Sequence, residues 1–209
     1  MKLDKYIGIA IIIIFHIVGY VGFSNDALID IFKSLVPVHL LLMFGIALYF
    51  QPNWNKAFIR FLLIVLFASY LIEMIGTNTG LIFGEYTYGA TLGYSLFNTP
   101  LLIGVNWFIL VYCTGIGLQY FKIKNDWLAA LIIAFVLTGI DYLIEPVAIR
   151  FDYWFWQESS IPLQNYLAWF LISFAFGLLF RKSHFNKQNT PAIVILLVQT
   201  LFFILLNRL

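Results

Sequence analysis

Long apolar runs occupy most of this chain and leave it few folds to choose from. Seven stand out, at 6–23, 35–50, 57–75, 100–121, 127–145, 163–180 and 191–206. A membrane span needs about 20 mostly apolar residues, with a range of about 17–25; the run at 35–50 is short by that measure. Lipid offers the backbone no hydrogen-bond partner, so such spans must be helical. The expected fold class is therefore all-α, a polytopic membrane bundle of about seven transmembrane helices. The whole of 1–209 is expected to form a single integral membrane domain. Composition agrees, at 62% hydrophobic and 11% charged, against about 25% charged in soluble domains.

Lysines and arginines set the expected orientation. With the N-terminus on one side, that side collects Lys2, Lys5, Lys56, Arg60, Lys122, Lys124, Arg181, Lys182 and Lys187. The other side collects Lys33, Arg150 and Arg208. Nine against three predicts a cytoplasmic N-terminus and an outside C-terminus. MKLDKY resembles the basic start of a signal peptide, but no clean small-residue cleavage site follows, so a retained span is expected. A multi-pass protein of a bacterial inner membrane is the expected localisation.

Several function classes fall away. A net charge of +2 with no basic run gives nucleic acid no purchase. One cysteine, Cys113, allows neither a disulfide framework nor a cysteine metal site. The histidines, His16, His39 and His184, are scattered, whereas non-haem di-iron membrane oxygenases need them clustered. No nucleotide loop is present. No metal and no cofactor are expected.

The acids are more informative. IDYLIEPVA, at 140–148, places Asp141 and Glu145 four residues apart, hence on one helix face, with Asp141 roughly 6 Å deeper. Pro146 follows and is expected to end or kink the helix. Glu73 lies at a matching depth in the third run. A carboxylate inside a span costs on the order of 2.5–3.5 kcal/mol on insertion scales and is by default a functional-site residue. Two nearby acids can hold one proton between them, and such a group can act as a general acid.

The outer loops add aromatic density in GEYTYG at 84–89 and FDYWFWQ at 151–157. An interfacial aromatic belt would explain single rings, and the loop acids Glu85 and Asp152 read as solvated. A hairpin repeat, 57–121 and 127–180, is also visible. Each half has an outer acid, Glu73 or Asp141, then an acid–Tyr–x–aromatic step. Each re-enters with a proline seven residues before a tryptophan, Pro100 to Trp107 and Pro162 to Trp169. Asparagines Asn106 and Asn165 lie between and are expected to face a site between the hairpins.

Protonatable acids, aromatic faces and polar amides suit carbocation chemistry on an alkene. The acid delivers a proton, rings stabilise the cation, and either water adds or a neighbouring double bond closes a ring. An extended carotenoid is about as long as the hydrocarbon is thick, roughly 30 Å, so its ends would lie at the depth of these acids.

The residues Glu73, GEYTYGATLGYS at 84–95, Pro100 to Trp107, Asp141, EPVA at 145–148, YWFW at 153–156 and IPLQNYLAW at 161–169 resemble the carotenoid biosynthesis membrane-protein family. That family includes the carotenoid 1′,2′-hydratases and bisanhydrobacterioruberin hydratase. The resemblance implies water addition to the terminal ψ-end double bond of an acyclic or monocyclic carotenoid. It implies Asp141 as donor, with Glu145 or Glu73 as partner and base. Tyr86, Tyr88, Trp107, Trp154, Trp156 and Trp169 are expected to bind the substrate and shield the cation, and Asn106 or Asn165 to orient water. The implied partners are a carotenoid in the bilayer, the lipid, and other carotenoid-pathway enzymes. A lycopene-cyclase-like enzyme is the nearest alternative; a proton-coupled transporter or carotenoid-binding membrane protein is another. A retinal pump does not fit, because the seventh run has no lysine.

Overall fold

The computed structural model describes residues 4–158 and 160–209; Lys2, counted above for orientation, lies outside them. Seven α-helices run in sequence: α1 Lys5–Phe23, α2 Ile29–Tyr49, α3 Lys56–Thr79, α4 Leu102–Leu118, α5 Asp126–Arg150, α6 Leu163–Lys182 and α7 Thr190–Leu206. A 3-10 turn, Gln119–Phe121, extends α4. Six of the helices are long and apolar enough to cross a membrane, and α7 is 17 residues. The chain is an all-α polytopic membrane bundle.

Side-chain bonds show that α7 runs the same course as its neighbours. At its start, Asn189 Nδ2 donates to Ala47 O at 2.8 Å and to Tyr112 Oη at 2.9 Å, near the C-terminal ends of α2 and α4. At its end, Arg150 Nη1 donates to Leu206 O at 3.1 Å. That is also the end where Lys33 of α2 meets Asp152, at 3.3 Å. So α7 reaches between the same two faces as α2.

Two helices depart furthest from their expected bounds. The second begins at Ile29, well before residue 35, and holds Asp30, Lys33 and Pro37 inside it. The polar residues sit in its first turns, where Lys33 can reach a loop acid. The fifth does not stop at Glu145: it continues through Pro146 to Arg150. Proline removes the N–H that would bond Tyr142 O, yet the helix closes normally beyond it, and an outside donor reaches the next carbonyl. Asn207 Nδ2 reaches Leu143 O at 2.7 Å, and Phe151 N closes on Val147 O at 3.0 Å.

Helix α4 is the hub. Its residues from Trp107 to Ile116 are buried on every side, as expected of a helix that is apolar all round. Gly104 lets α3 come close: a Cβ there would lie 2.6 Å from Leu66 O. Gly104→Ala is therefore expected to destabilise the bundle by about 1–3 kcal/mol, read as a lower thermal midpoint in detergent. The outer loops are not loose. Strands β1 Tyr86–Tyr88 and β4 Trp154–Trp156 pair antiparallel, Tyr86 opposite Trp156 and Tyr88 opposite Trp154. A second short pair joins β2 Ser95–Leu96 to β3 Thr99–Pro100. The β1–β4 ribbon carries its large rings down onto the outer ends of α3 and α5.

Candidate functional site

Strand periodicity explains how the rings are aimed. Alternate residues point to one face, so Tyr86, Tyr88, Trp154 and Trp156 go together, while Thr87 and Phe155 are exposed. Beneath that face lie three buried carboxyl groups: Glu73 on α3, Asp141 and Glu145 on α5, exposed by 4%, 0% and 1%.

Each glutamate is held by ring edges. Glu73 Oε2 accepts from Tyr86 Oη and Tyr88 Oη, both at 2.7 Å, and Glu73 Oε1 accepts from Trp107 Nε1 at 2.8 Å. Glu145 Oε2 accepts from Trp154 Nε1 at 3.0 Å and Trp156 Nε1 at 2.9 Å. Burial, and then the charge of Glu73, hold both Tyr86 and Tyr88 well above their ordinary range, so both remain donors. Thr77 Oγ1 donates in turn to Tyr86 Oη at 3.0 Å.

Asn165, near the start of α6, ties the pair on α5 together. Its Nδ2 donates to Asp141 Oδ2 at 2.9 Å and to Glu145 Oε1 at 3.1 Å. Asp141 Oδ1 is buried and has no hydrogen-bond partner among the described residues. The three acids are thus unequal: each glutamate has three donors, Asp141 has one. An ionised carboxylate in a dry site needs its oxygens satisfied; a protonated one needs an acceptor and can spare a donor.

Between the groups lies a cavity of about 20 Å³, lined by Glu73, Glu145, Asn165, Trp154, Trp156 and Trp169 among others. That is room for about one water molecule. Trp107 and Trp169 floor the site, stacked at 4.0 Å with an 18° angle; such pairs contribute about 0.5–1.5 kcal/mol beyond their burial.

The structure gathers Glu73, Asp141, Glu145, Tyr86, Tyr88, Trp107, Trp154, Trp156, Asn165 and Trp169 around one site. It does not bring Asn106 there: that residue lines a separate cavity between α1, α2 and α7. One residue on from Asn106 is Trp107, which points at Glu73, and a single helical step turns a side chain by about 100°. The aromatic residues also do something sequence did not reveal. Their N–H and O–H edges hold the acids, and their faces are left for packing. Thr77 was missed too, although it stands four residues beyond Glu73, as Glu145 does beyond Asp141. The loop acids Glu85 and Asp152 lie apart from the site: Glu85 is exposed, and Asp152 pairs with Lys33. Among the described residues no cluster of His, Cys, Asp and Glu could hold a metal ion.

Fold and site together define a multi-pass membrane protein that keeps three carboxyl groups out of water beneath a cap of aromatic rings. The chain belongs to the carotenoid biosynthesis protein family, whose family model matches residues 35–209. It is similar to bisanhydrobacterioruberin hydratase of Haloarcula japonica, at 31% identity over 119 residues. That match covers 54% of this chain and 41% of the relative, so the chain spans less than half of the relative's length. No solved structure matches.

Proposed function

We propose that the protein is a carotenoid hydratase of the cell membrane, adding water across the terminal ψ-end double bond of an acyclic or monocyclic carotenoid. The observation that carries this reading is the water-sized cavity walled by Glu73, Glu145 and Asn165, whose Asn165 also binds the buried Asp141, a carboxyl with one oxygen unpartnered among the described residues. A cyclase must keep water from its cation, whereas a hydratase must hold one water where the cation forms. The relative's name and the family match point the same way.

The residues take the following roles. Asp141 gives its proton to the less substituted alkene carbon, and the π electrons form that C–H bond. A tertiary cation remains on the neighbouring carbon, shielded by the faces of Trp154, Trp156 and Tyr88. Water held at Asn165 and Glu145 adds through oxygen, and one of its protons passes to Glu145. Asn165 bridges the two carboxyls, and return of the proton to Asp141 restores the starting state. Alkene plus water gives tertiary alcohol, with no electrons lost or gained. Glu73, held by three donors, is fixed in place opposite the cation with its oxygens turned to Tyr86, Tyr88 and Trp107. The resemblance between the hairpins fits this division in part: a shift of 68 residues carries Glu73 to Asp141, Tyr86 to Trp154 and Tyr88 to Trp156, while the acid–Tyr step repeats after 67 and the Pro–Trp step after 62. We propose that the two hairpins are copies of one unit whose acids have since taken different tasks.

The test is product analysis in a host that makes lycopene or γ-carotene. Hydration adds the mass of water. A product of unchanged mass with a ring at its end would mean cyclisation, and carotenoid bound but unaltered would mean a binding protein.

A further inference from the structure

The carboxylate cavity, about 20 Å³, has room for the water, so the alkene end must reach the acids from a neighbouring space as the rings above them part. A second cavity, of about 190 Å³, lies against the other side of the same wall, and Trp154 lines both. It is enclosed by α1, α2 and α7 with parts of α4 and α5. Its rim residues Phe15 and Val18 on α1, and Leu35 and Val38 on α2, are 45–59% exposed. All four are apolar and lie on membrane helices, so the mouth opens sideways into hydrocarbon.

Besides Tyr153, which bears a hydroxyl, and Trp154, whose N–H is committed to Glu145, four polar side chains interrupt this apolar lining: His16, His39, Asn106 and Gln199. Two of them looked unrelated in sequence, but the α1–α2 hairpin sets the rings of His16 and His39 edge to face, centroids 4.6 Å apart. His16 Nδ1 lies 2.8 Å from Ile12 O. Only the protonated nitrogen can make that bond, so Nε2 of the neutral ring is an acceptor. Among the described residues, no hydrogen bond joins the His39 ring, the Asn106 amide or the Gln199 amide to the protein. Gln199 is nonetheless only 9% exposed, and His39 and Asn106 are half-buried. Buried polar groups are normally paired. Unpaired ones facing an apolar cavity match a ligand that is almost all hydrocarbon and carries one small polar group. No charged residue lines the cavity, so an anionic or cationic head group would find no counter-charge. A hydroxyl meets the requirement: it donates to an imidazole nitrogen and accepts from an amide N–H.

We propose that this cavity is a second binding site, for an isoprenoid end group bearing a tertiary hydroxyl. In the hydratase reading, on which the ligand's identity rests, it receives the hydrated end before the molecule leaves sideways between α1 and α2. Helix α1, which supplies His16 and Gly19, precedes the residues matched by the family model.

The test is a binding titration on the purified full-length protein in lipid nanodiscs, in the Asp141→Asn background so that nothing turns over. The probes are an acyclic carotenoid hydrocarbon and its mono-tertiary alcohol, and the readout is quenching of tryptophan fluorescence. The alcohol is expected to bind roughly tenfold tighter, about 1.4 kcal/mol. Gln199→Leu with Asn106→Leu is expected to bring the two ligands to near parity while hydrocarbon binding persists. Gly19→Leu, which puts bulk into the cavity where a Cβ meets the Phe202 ring at 3.4 Å, is expected to weaken both. Equal affinity in the parent protein, or a preference that survives the Gln199–Asn106 double change, would overturn the proposal. The two readings fail separately. A hydroxyl preference in a protein that converts nothing would sink the hydratase and keep the site. Conversion without any preference would do the reverse.

Discussion

Asp141→Asn is expected to abolish conversion while leaving the protein folded and in the membrane. The substitution keeps shape and the contact to Asn165 but removes the transferable proton. General acid catalysis is worth roughly 10²–10⁴-fold, and the loss should fall at the upper end, since protonation creates the cation and no other acid shares this geometry. Glu73 and Glu145 each accept three hydrogen bonds and Asp141 one, which singles out Asp141 as the carboxyl least occupied as an acceptor. Product formation per unit of membrane protein, in cells supplying an acyclic carotenoid, measures the effect. Full turnover by this variant would mean that the donor is another group.

The second large effect is expected at Asn165. One amide nitrogen serves both acids of α5, so Asn165→Leu leaves two buried carboxyls without it. A neutral hydrogen bond contributes about 0.5–1.5 kcal/mol and one to a charged group about 1.5–3 kcal/mol, so a loss of about 3 kcal/mol is expected from the pair. It would be read as a lowered thermal midpoint in detergent, together with loss of conversion. Adding Asp141→Leu to Asn165→Leu should restore much of the stability, because replacing both partners by apolar groups can be nearly neutral. Conversion should stay absent. A single variant as stable as the parent would show that Asn165 does not bridge the acids.

The spans were legible in sequence because lipid forces the pattern: the backbone must be helical and the side chains apolar. Where the reading slipped, a distant donor decided the outcome. The run at 35–50 gave no sign of starting at Ile29, because Lys33 is accommodated by an acid in a loop after α5. Pro146 looks like a stop, yet Asn207, from the far end of the chain, supports the turn around it.

The site was partly legible. The depth of Asp141 and Glu145 could be read from spacing alone, and the aromatic loops pointed to the same level. Which part of each ring is used could not be read, since a tryptophan in sequence does not say whether its face or its N–H will meet the acid. Strand pairing settles that here, by placing Tyr86 opposite Trp156 and Tyr88 opposite Trp154. Asn106 and Asn165 looked equivalent because both lie between a proline and a tryptophan. They stand at different helical phases, one residue before Trp107 and four before Trp169, and so face different cavities. His16 and His39 meet only because α1 and α2 pack as a hairpin.

Hydration requires water to be added at a site otherwise sealed from water. The most direct measurement is turnover by the purified protein in nanodiscs, with an acyclic carotenoid, in water enriched in heavy oxygen. The predicted product carries the heavy oxygen as a hydroxyl on the tertiary carbon of the end group. A product of the substrate's own mass, or one whose oxygen is unlabelled, would contradict the account.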